Sequence, residues 1–289
     1  MTTRQALRRL IAGRSYTMVP GAHDTLTARL VERAGFAAVY LTGGGYSRAN
    51  GYPDIGLLTL SENVRWIGLT VEAVEIPVIA DADTGYGNAI NVVRTVREYE
   101  KAGVAAFHLE DQVSPKKCGH YEGKVVISRG EMVGKIKAAL DTRRDADMVI
   151  IARSDARAVE GLAAAIDRVN AYLEAGADVG FVEAPQTVEE LRTVAGAVNG
   201  PALANVFEGG KTPMLSAAEL EAMGFRLGIY PSQTQRAAIR AAERVLAALK
   251  ADGDTRRVEA DLASFAEREE AVGTAGWRAL EARYMSTEE

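Results

Sequence analysis

The chain has 289 residues, 47% of them hydrophobic and 25% charged, which is enough apolar material for a large core and too much for a disordered chain. A formal net charge of -5 gives no electrostatic basis for binding nucleic acid or an anionic membrane surface, and no apolar run approaches the roughly 20 residues that span a bilayer. The single cysteine, Cys118, excludes an intrachain disulfide, and the expected compartment is the cytoplasm.

The opening MTTRQALRRLIAGRSY carries neither a long apolar stretch nor a small-residue cleavage site. It fits a short amphipathic helix with Leu7, Leu10 and Ile11 on one face, an organellar transit peptide being the alternative. From there, short apolar runs, several closed by a polar residue or a glycine, alternate with stretches rich in Ala, Leu, Glu and Arg. The eight runs are Met18–Asp24, Ala38–Gly44, Pro77–Asp83, Ala105–Asp111, Met148–Asp155, Val179–Pro185, Pro201–Val206 and Arg226–Pro231. Near-continuous apolar runs are buried on both faces, as parallel strands are, and the stretches between them supply crossover helices. Gly35, Gly103, Gly176 and Gly224 each stand where a helix would stop, just before the next run. Eight strand–helix units predict an α/β fold of the (β/α)8 TIM-barrel type; an open doubly wound sheet is the alternative, because periodicity does not show closure. No Pro/Ser-rich linker divides the chain, so residues 1–289 read as one domain with 240–289 as a helical extension, broken near Ala251–Asp254. Val258, Leu262, Phe265, Trp277, Leu280 and Tyr284 give that extension apolar positions to bury, and a neighbouring subunit is a candidate to cover them.

Active sites in such barrels lie at the C-terminal ends of the strands. Here those ends are polar: Asp24, Thr42–Gly45, Asp81 and Asp83, His108, Glu110 and Asp111, Arg153 and Asp155, Glu183, Asn205 and Tyr230. Asp81 and Asp83, two apart, face the same side, and Glu110 ends the adjacent strand. Carboxylates converging on one mouth repel unless a divalent cation neutralises them; an all-oxygen set with no lysine cluster in reach and no His/Cys cluster favours magnesium over zinc. The alternative is that these aspartates cap the following helices. Gly43, Gly44 and Gly45 can present backbone N–H groups to an anion or form a tight turn without a ligand, and their spacing matches neither a P-loop nor a dinucleotide fingerprint.

The fourth strand is followed by Gln112–Lys124, longer than the usual βα connection of about 2–6 residues, as lids at this face are. Cys118 stands there among Lys116, Lys117 and His120, surroundings expected to lower a thiol pKa and to suit proton transfer; a buried small hydrophobe is the other role of a lone cysteine. Arg153 closes an apolar strand, where a charge must be paired or must read a substrate carboxylate, and Glu183 is its candidate structural partner. Asn205 either contacts substrate or organises a turn.

Taken together, Gly43–Gly45, Pro53-Asp54-Ile55-Gly56, Asp81–Gly87, His108–Gln112, Lys116-Lys117-Cys118-Gly119-His120, Ala152–Ala156 and Glu208–Pro213 resemble the isocitrate lyase/phosphoenolpyruvate mutase superfamily from about Val19 to Arg244. Length and the Lys-Cys-Gly-His loop are most similar to its short-chain lyases, of the 2-methylisocitrate and 2,3-dimethylmalate type. The resemblance implies a carbon–carbon lyase that releases a 2-keto acid such as pyruvate, and a second carboxylate, from a 2-hydroxy di- or tricarboxylate. It implies Mg2+, with Mn2+ as the alternative, bound directly by Asp83 and through water by Asp81, Asp54 and Glu110. Thr42, Gly43 and Gly44 would take the keto acid's carboxylate and Arg153 would neighbour its oxygens, with Tyr40, Lys116 and Gly119 as further substrate-side candidates. Cys118, on a gating loop, would protonate the departing carbanion; His120 and Glu183 are the other catalytic candidates, and Asn205 completes the pocket. A homotetramer exchanging C-terminal helices between paired subunits is implied as well. The group that takes the hydroxyl proton stays open among a metal-linked water, a carboxylate and Tyr40. Glu208–Pro213 is closer to dimethylmalate lyases and phosphonate-forming relatives than to tricarboxylate cleavers, so the substrate stays open too. Rival readings are a phosphorus–carbon bond enzyme or an oxaloacetate decarboxylase, against which the cysteine loop counts, and a non-catalytic metabolite-binding barrel, which needs no proton donor.

Overall fold

A computed structural model describes residues 1–285. Strands β1 (Thr17–Ala22), β2 (Val39–Leu41), β3 (Val78–Asp81), β4 (Ala106–Glu110), β5 (Val149–Ser154), β6 (Val179–Val182), β7 (Ala202–Asn205) and β8 (Leu227–Tyr230) fall on the eight apolar runs. They pair in parallel in chain order, and β1 pairs with β8, from Thr17↔Leu227 to Pro20↔Tyr230. That closure decides for a barrel over an open sheet.

Around the strands stand α1 (Thr3–Ala12), α2 (Thr25–Arg33), α3 (Gly43–Ala49), α4 (Leu60–Ala73), α5 (Ala89–Ala102), α6 (Arg129–Thr142), α7 (Leu162–Glu174), α8 (Val188–Ala197) and α9 (Ala217–Met223). Their starts carry side-chain caps: Asp24, Thr59, Asn88, Ser128, Thr187 and Ser216 each accept a backbone N–H of the first turn. Asp24 is therefore the cap of the helix that follows it, whereas neither Asp81 nor Asp83 caps the helix after β3, whose cap is Asn88. Gly103 and Gly224 end α5 and α9 in the left-handed conformation, at φ 91° and 105°, which a side chain would strain.

Strand alternation sorts the apolar residues into two layers. Outward-facing Val78, Ala80, Phe107, Leu109, Ile150 and Ala152 bury against helix residues such as Trp66, Val92, Ile136 and Val169. Inward-facing Val19, Tyr40, Ile79, Ala106, Val149, Ile151, Phe181, Leu203 and Ile229 fill the barrel. Leu7 and Ile11 of α1 join that inner cluster, with Leu10 packed against it, so the N-terminal segment folds as the amphipathic helix its pattern indicated. Arg4 and Arg8 fix this plug to the barrel's N-terminal end through Asp145 at 2.7 Å and Asp178 at 3.0 Å. The same inward parity continues upward as Asp81, His108, Glu110, Arg153, Glu183 and Asn205. The barrel interior thus passes from apolar to ionisable at its C-terminal mouth.

The chain divides into two compact units, residues 1–233 and residues from 234 onward. The second holds most of α10 (Gln233–Asp252), a 3-10 turn at Arg256–Asp261, α11 (Phe265–Ala271) and α12 (Thr274–Tyr284). The interruption expected near Ala251–Asp254 occurs at Gly253, φ 75°. Val258 is buried, whereas Leu262, Phe265, Trp277, Leu280 and Tyr284 are exposed.

Candidate active site

The acidic side of the mouth is built on β3, β4 and the segment after α3. Register places Asp81 beside His108 and Glu110 beside Arg153. Asp81 is fully engaged: Oδ1 accepts the Asp83 N–H at 2.9 Å, and Oδ2 accepts the Gly43 N–H at 3.1 Å and the Tyr40 hydroxyl at 3.3 Å. Burial works to raise its pKa, but His108, Lys116 and Arg153 outweigh it and hold the carboxyl below the usual range. Tyr40 also meets His108 Nε2 at 2.8 Å, and burial, then Asp81, pushes the phenol far above 10. In these surroundings Tyr40 keeps its proton and donates, which counts against it as the base.

Asp83 follows the strand at φ 46°, a left-handed conformation unusual outside glycine and typical of residues held for function. Burial pushes its pKa up to about 6, with Lys116 opposing and Asp81 and Asp54 adding to the rise; burial raises Glu110 strongly as well. Asp83 Oδ1 and both Glu110 carboxylate oxygens are buried without a hydrogen bond, their nearest cations being Lys116 at 3.0 Å and Arg153 at 3.3 Å. Buried acceptors left this way, on hard oxygen ligands, fit a small divalent cation. Among the described residues no three His, Cys, Asp or Glu side chains form a ready-made metal cage. Magnesium needs none, because it binds through one or two carboxylates and keeps several waters.

Two expectations for this side change. A lysine does stand within reach: the buried ammonium of Lys116, brought in by the long loop, lies 2.5 Å from Asp54 Oδ1 and 3.0 Å from Asp83 Oδ1. The glycine triplet also serves the protein's own carboxylates, a use its sequence did not suggest. Thr42 caps α3 by accepting the Gly45 N–H, Gly43 donates to Asp81, and a Cβ on Gly43 or Gly44 would lie 2.7 Å from Asp81 Oδ2 or 2.6 Å from Asp54 Oδ2. The glycines let two carboxylates approach the backbone.

Across the mouth, Arg153 pairs with Asp155 rather than chiefly with Glu183. Its Nε reaches Asp155 Oδ2 at 2.8 Å and Nη2 reaches Oδ1 at 3.1 Å, whereas Glu183 is 3.9 Å away. Arg153 also lies over the Phe181 ring, 5.2 Å from its centroid. Asn205 Nδ2 donates to both Glu183 oxygens at 3.2 Å, so it orients that carboxylate. Ala184, next to Glu183, is left-handed at φ 55°, a second strained position at the mouth. His120 Nδ1 accepts the Lys211 N–H at 3.2 Å, and burial keeps its ring neutral; its proton therefore sits on Nε2, 3.5 Å from Glu183 Oε1.

The loop folds back over this chemistry. At its base Gln112 exchanges hydrogen bonds with the Lys117 carbonyl and N–H, and Val113 donates to Val125 O. At its centre the Cys118 N–H donates to Asp54 O, and Gly119 lies so close to Glu183 and Arg153 that a Cβ would be 2.3 Å from Oε1 and 2.7 Å from Nη2. The expectation of a lowered thiol pKa fails. Burial, then Asp54, pushes Cys118 up to about 11, because Lys116 is bound to Asp54 and Asp83 while Lys117 turns to Gly123 O. Three participants had no role in the sequence reading: Asp155, His108 and Lys124, whose Nζ meets Asp155 Oδ1 at 2.8 Å. Asp155 was findable, since two-residue spacing puts it on the same side as Arg153.

Comparison with known proteins gives the same picture. A model of the phosphoenolpyruvate phosphomutase family matches residues 7–250. The chain is 49% identical to 2,3-dimethylmalate lyase of Eubacterium barkeri over 99% of both chains, and 49% identical to 2-methylisocitrate lyase of Aeropyrum pernix over 83% of this chain and 77% of that one. Among solved structures, 2,3-dimethylmalate lyase superposes with a TM-score of 0.93 at 37% identity, covering 98% of this chain and 95% of the other. A phosphonopyruvate hydrolase complexed with oxalate and Mg2+ gives 0.90 at 35% identity over 99% and 100%. With its barrel closed, its acidic and cysteine-bearing segments facing one mouth, and relatives of this identity along nearly its whole length, the chain belongs to the phosphoenolpyruvate mutase/isocitrate lyase superfamily.

Proposed function

We propose that this protein is a magnesium-dependent carbon–carbon lyase that cleaves a short 2-hydroxy acid of the 2,3-dimethylmalate or 2-methylisocitrate type into a 2-keto acid and a second carboxylate. The observation that carries the reading is a thiol held protonated, on a loop folded over a mouth with acidic oxygens on one side and Arg153 on the other. A carbanion that leaves must be protonated, and phosphorus transfer needs no such donor. The lyase relatives at 49% identity support this choice, and the Mg2+ bound by the phosphonopyruvate hydrolase supports the metal.

Asp83 would hold the ion, with Asp54, Asp81 and Glu110 about it, and the ion's chemistry there is polarisation of the developing keto-acid carbonyl. The protein's own groups divide the remaining work. Arg153, set by Asp155, presents a fixed guanidinium to a carboxylate. Lys116 offers a second cation from the loop. Cys118 Sγ supplies the proton, while Glu183, oriented by Asn205 and facing His120 Nε2, shapes the pocket on that side. The exposed Phe265, Trp277 and Tyr284 of the C-terminal unit support a homotetramer built by helix exchange, which a solution mass of one chain by light scattering would overturn.

The test is incubation of the protein and Mg2+ with 2,3-dimethylmalate, 2-methylisocitrate, isocitrate, oxaloacetate and phosphonopyruvate, identifying the keto acid released. Pyruvate from either of the first two is expected. Release from phosphonopyruvate alone would refute the reading, as would near wild-type turnover by Cys118→Ser.

A further inference from the structure

We propose that Lys124 is the positioning residue that latches the cysteine-bearing loop over the mouth, with Asp155 as its catch. Asp155 directly follows β5 with no exposure to solvent, and its carboxylate is divided between two cations. Arg153 takes Oδ2 through Nε at 2.8 Å and Oδ1 through Nη2 at 3.1 Å, while Lys124 Nζ takes Oδ1 at 2.8 Å. The same Lys124 ammonium donates to the Gly119 carbonyl, in the middle of the Cys118-Gly119-His120 turn. One buried ammonium thus ties that turn to a strand end.

The catch is itself anchored from outside the barrel. The Asp155 N–H donates to Asp111 Oδ1 at 2.8 Å, and Asp111 Oδ2 accepts from Ser154 Oγ at 2.7 Å and from Tyr172 of α7 at 2.8 Å. Asp111, directly after β4, faces outward onto α7, so a contact from outside the barrel fixes the carboxylate to which the loop is tied. The bonds of Gln112 at the loop base preserve the loop's own shape and do not press it down. A lysine is buried only where its charge is met, and here both contacts of the ammonium are made with the loop folded in. Because Arg153 and Lys124 share Asp155, the residue that faces the substrate carboxylate and the closure of the proton donor depend on one group.

This inference rests on Cys118 being the acid, but its test needs no turnover. In the full-length protein, Lys124→Met keeps the apolar stem and removes the charge. Alkylation of Cys118 by iodoacetamide at pH 8 should accelerate at least tenfold, and chymotrypsin should cut at Tyr121 faster, with the far-UV spectrum unchanged. Lys124→Arg should restore slow alkylation at least in part. In steady state, kcat should fall more than KM rises, since the ground-state carboxylate contacts persist. Unchanged alkylation and cleavage in a folded Lys124→Met protein would overturn the latch. If that variant does not fold, Lys124→Gln, which keeps a donor without the charge, is measured the same way, and unchanged alkylation in it overturns the latch equally. Faster alkylation together with no keto acid from any substrate would leave the latch standing and defeat the lyase reading alone.

Discussion

The thiol of Cys118 gives a direct test of the site's electrostatics. With its pKa pushed up to about 11 by burial and by Asp54, Cys118 holds a thiolate fraction of about 1 in 1,000 at pH 8, against about 1 in 10 or more for an ordinary thiol. The thiolate is the reactive form, so a raised pKa slows alkylation: metal-free enzyme should react with iodoacetamide about 100-fold more slowly than the same chain unfolded in urea. The sign also fixes the pH profile. The rate should climb about tenfold per pH unit from 8 towards 11 and level off only there. The assay is mass-spectrometric labelling of the one cysteine, with EDTA present so that the charges are those of the protein alone. A plateau at or below pH 8.5 would refute the reasoning, because it would mean that Lys116 and His120 govern the thiol and burial does not. A group that keeps its proton throughout the neutral range is suited to act as an acid and poorly suited to act as a nucleophile.

Three further outcomes are expected. Leu7→Ala, which empties a fully buried position where α1 joins the inner barrel core, should cost about 2–5 kcal/mol in denaturant unfolding, and an unchanged midpoint would deny that α1 is a structural plug. Gly119→Ala puts a Cβ 2.3 Å from Glu183 Oε1, so the turn must retreat; kcat/KM should fall about 100-fold with little change in melting temperature, and wild-type kinetics would contradict the close approach. Mg2+ should raise the melting temperature of EDTA-treated protein, because an ion held by the unpartnered oxygens of Asp83 and Glu110 would stabilise the folded state alone, and absence of any shift would count against an ion there even before activity is measured.

What could be read from the sequence followed from backbone periodicity. Eight apolar runs with glycine stops located every strand, and two-residue spacing placed Asp81 and Asp83 on one side, with Glu110 reached through the adjacent strand. The errors share a different origin. Cys118 was judged by its sequence neighbours, yet in the fold those lysines spend their charge elsewhere, on Asp54, Asp83 and the Gly123 carbonyl. Glu183 was the candidate structural partner of Arg153, yet Asp155, two residues on, satisfies it with two hydrogen bonds. The triplet Gly43–Gly45 was weighed as an anion cradle or an empty turn, and neither option included carboxylates of the protein's own chain approaching the backbone. For the cysteine and the glycines a long loop or a short polar segment brings a charge to a place that strand spacing cannot foresee, whereas Asp155 lay within the reach of that spacing. Lys116 and Lys124 make the point most clearly: both enter the mouth from one loop, both are buried, and the carboxylates that meet their charge lie on other segments. Strand ends therefore specify which groups face the reaction, whereas the loop decides how their charge is balanced, and an active site of this kind is complete only when the loop is down.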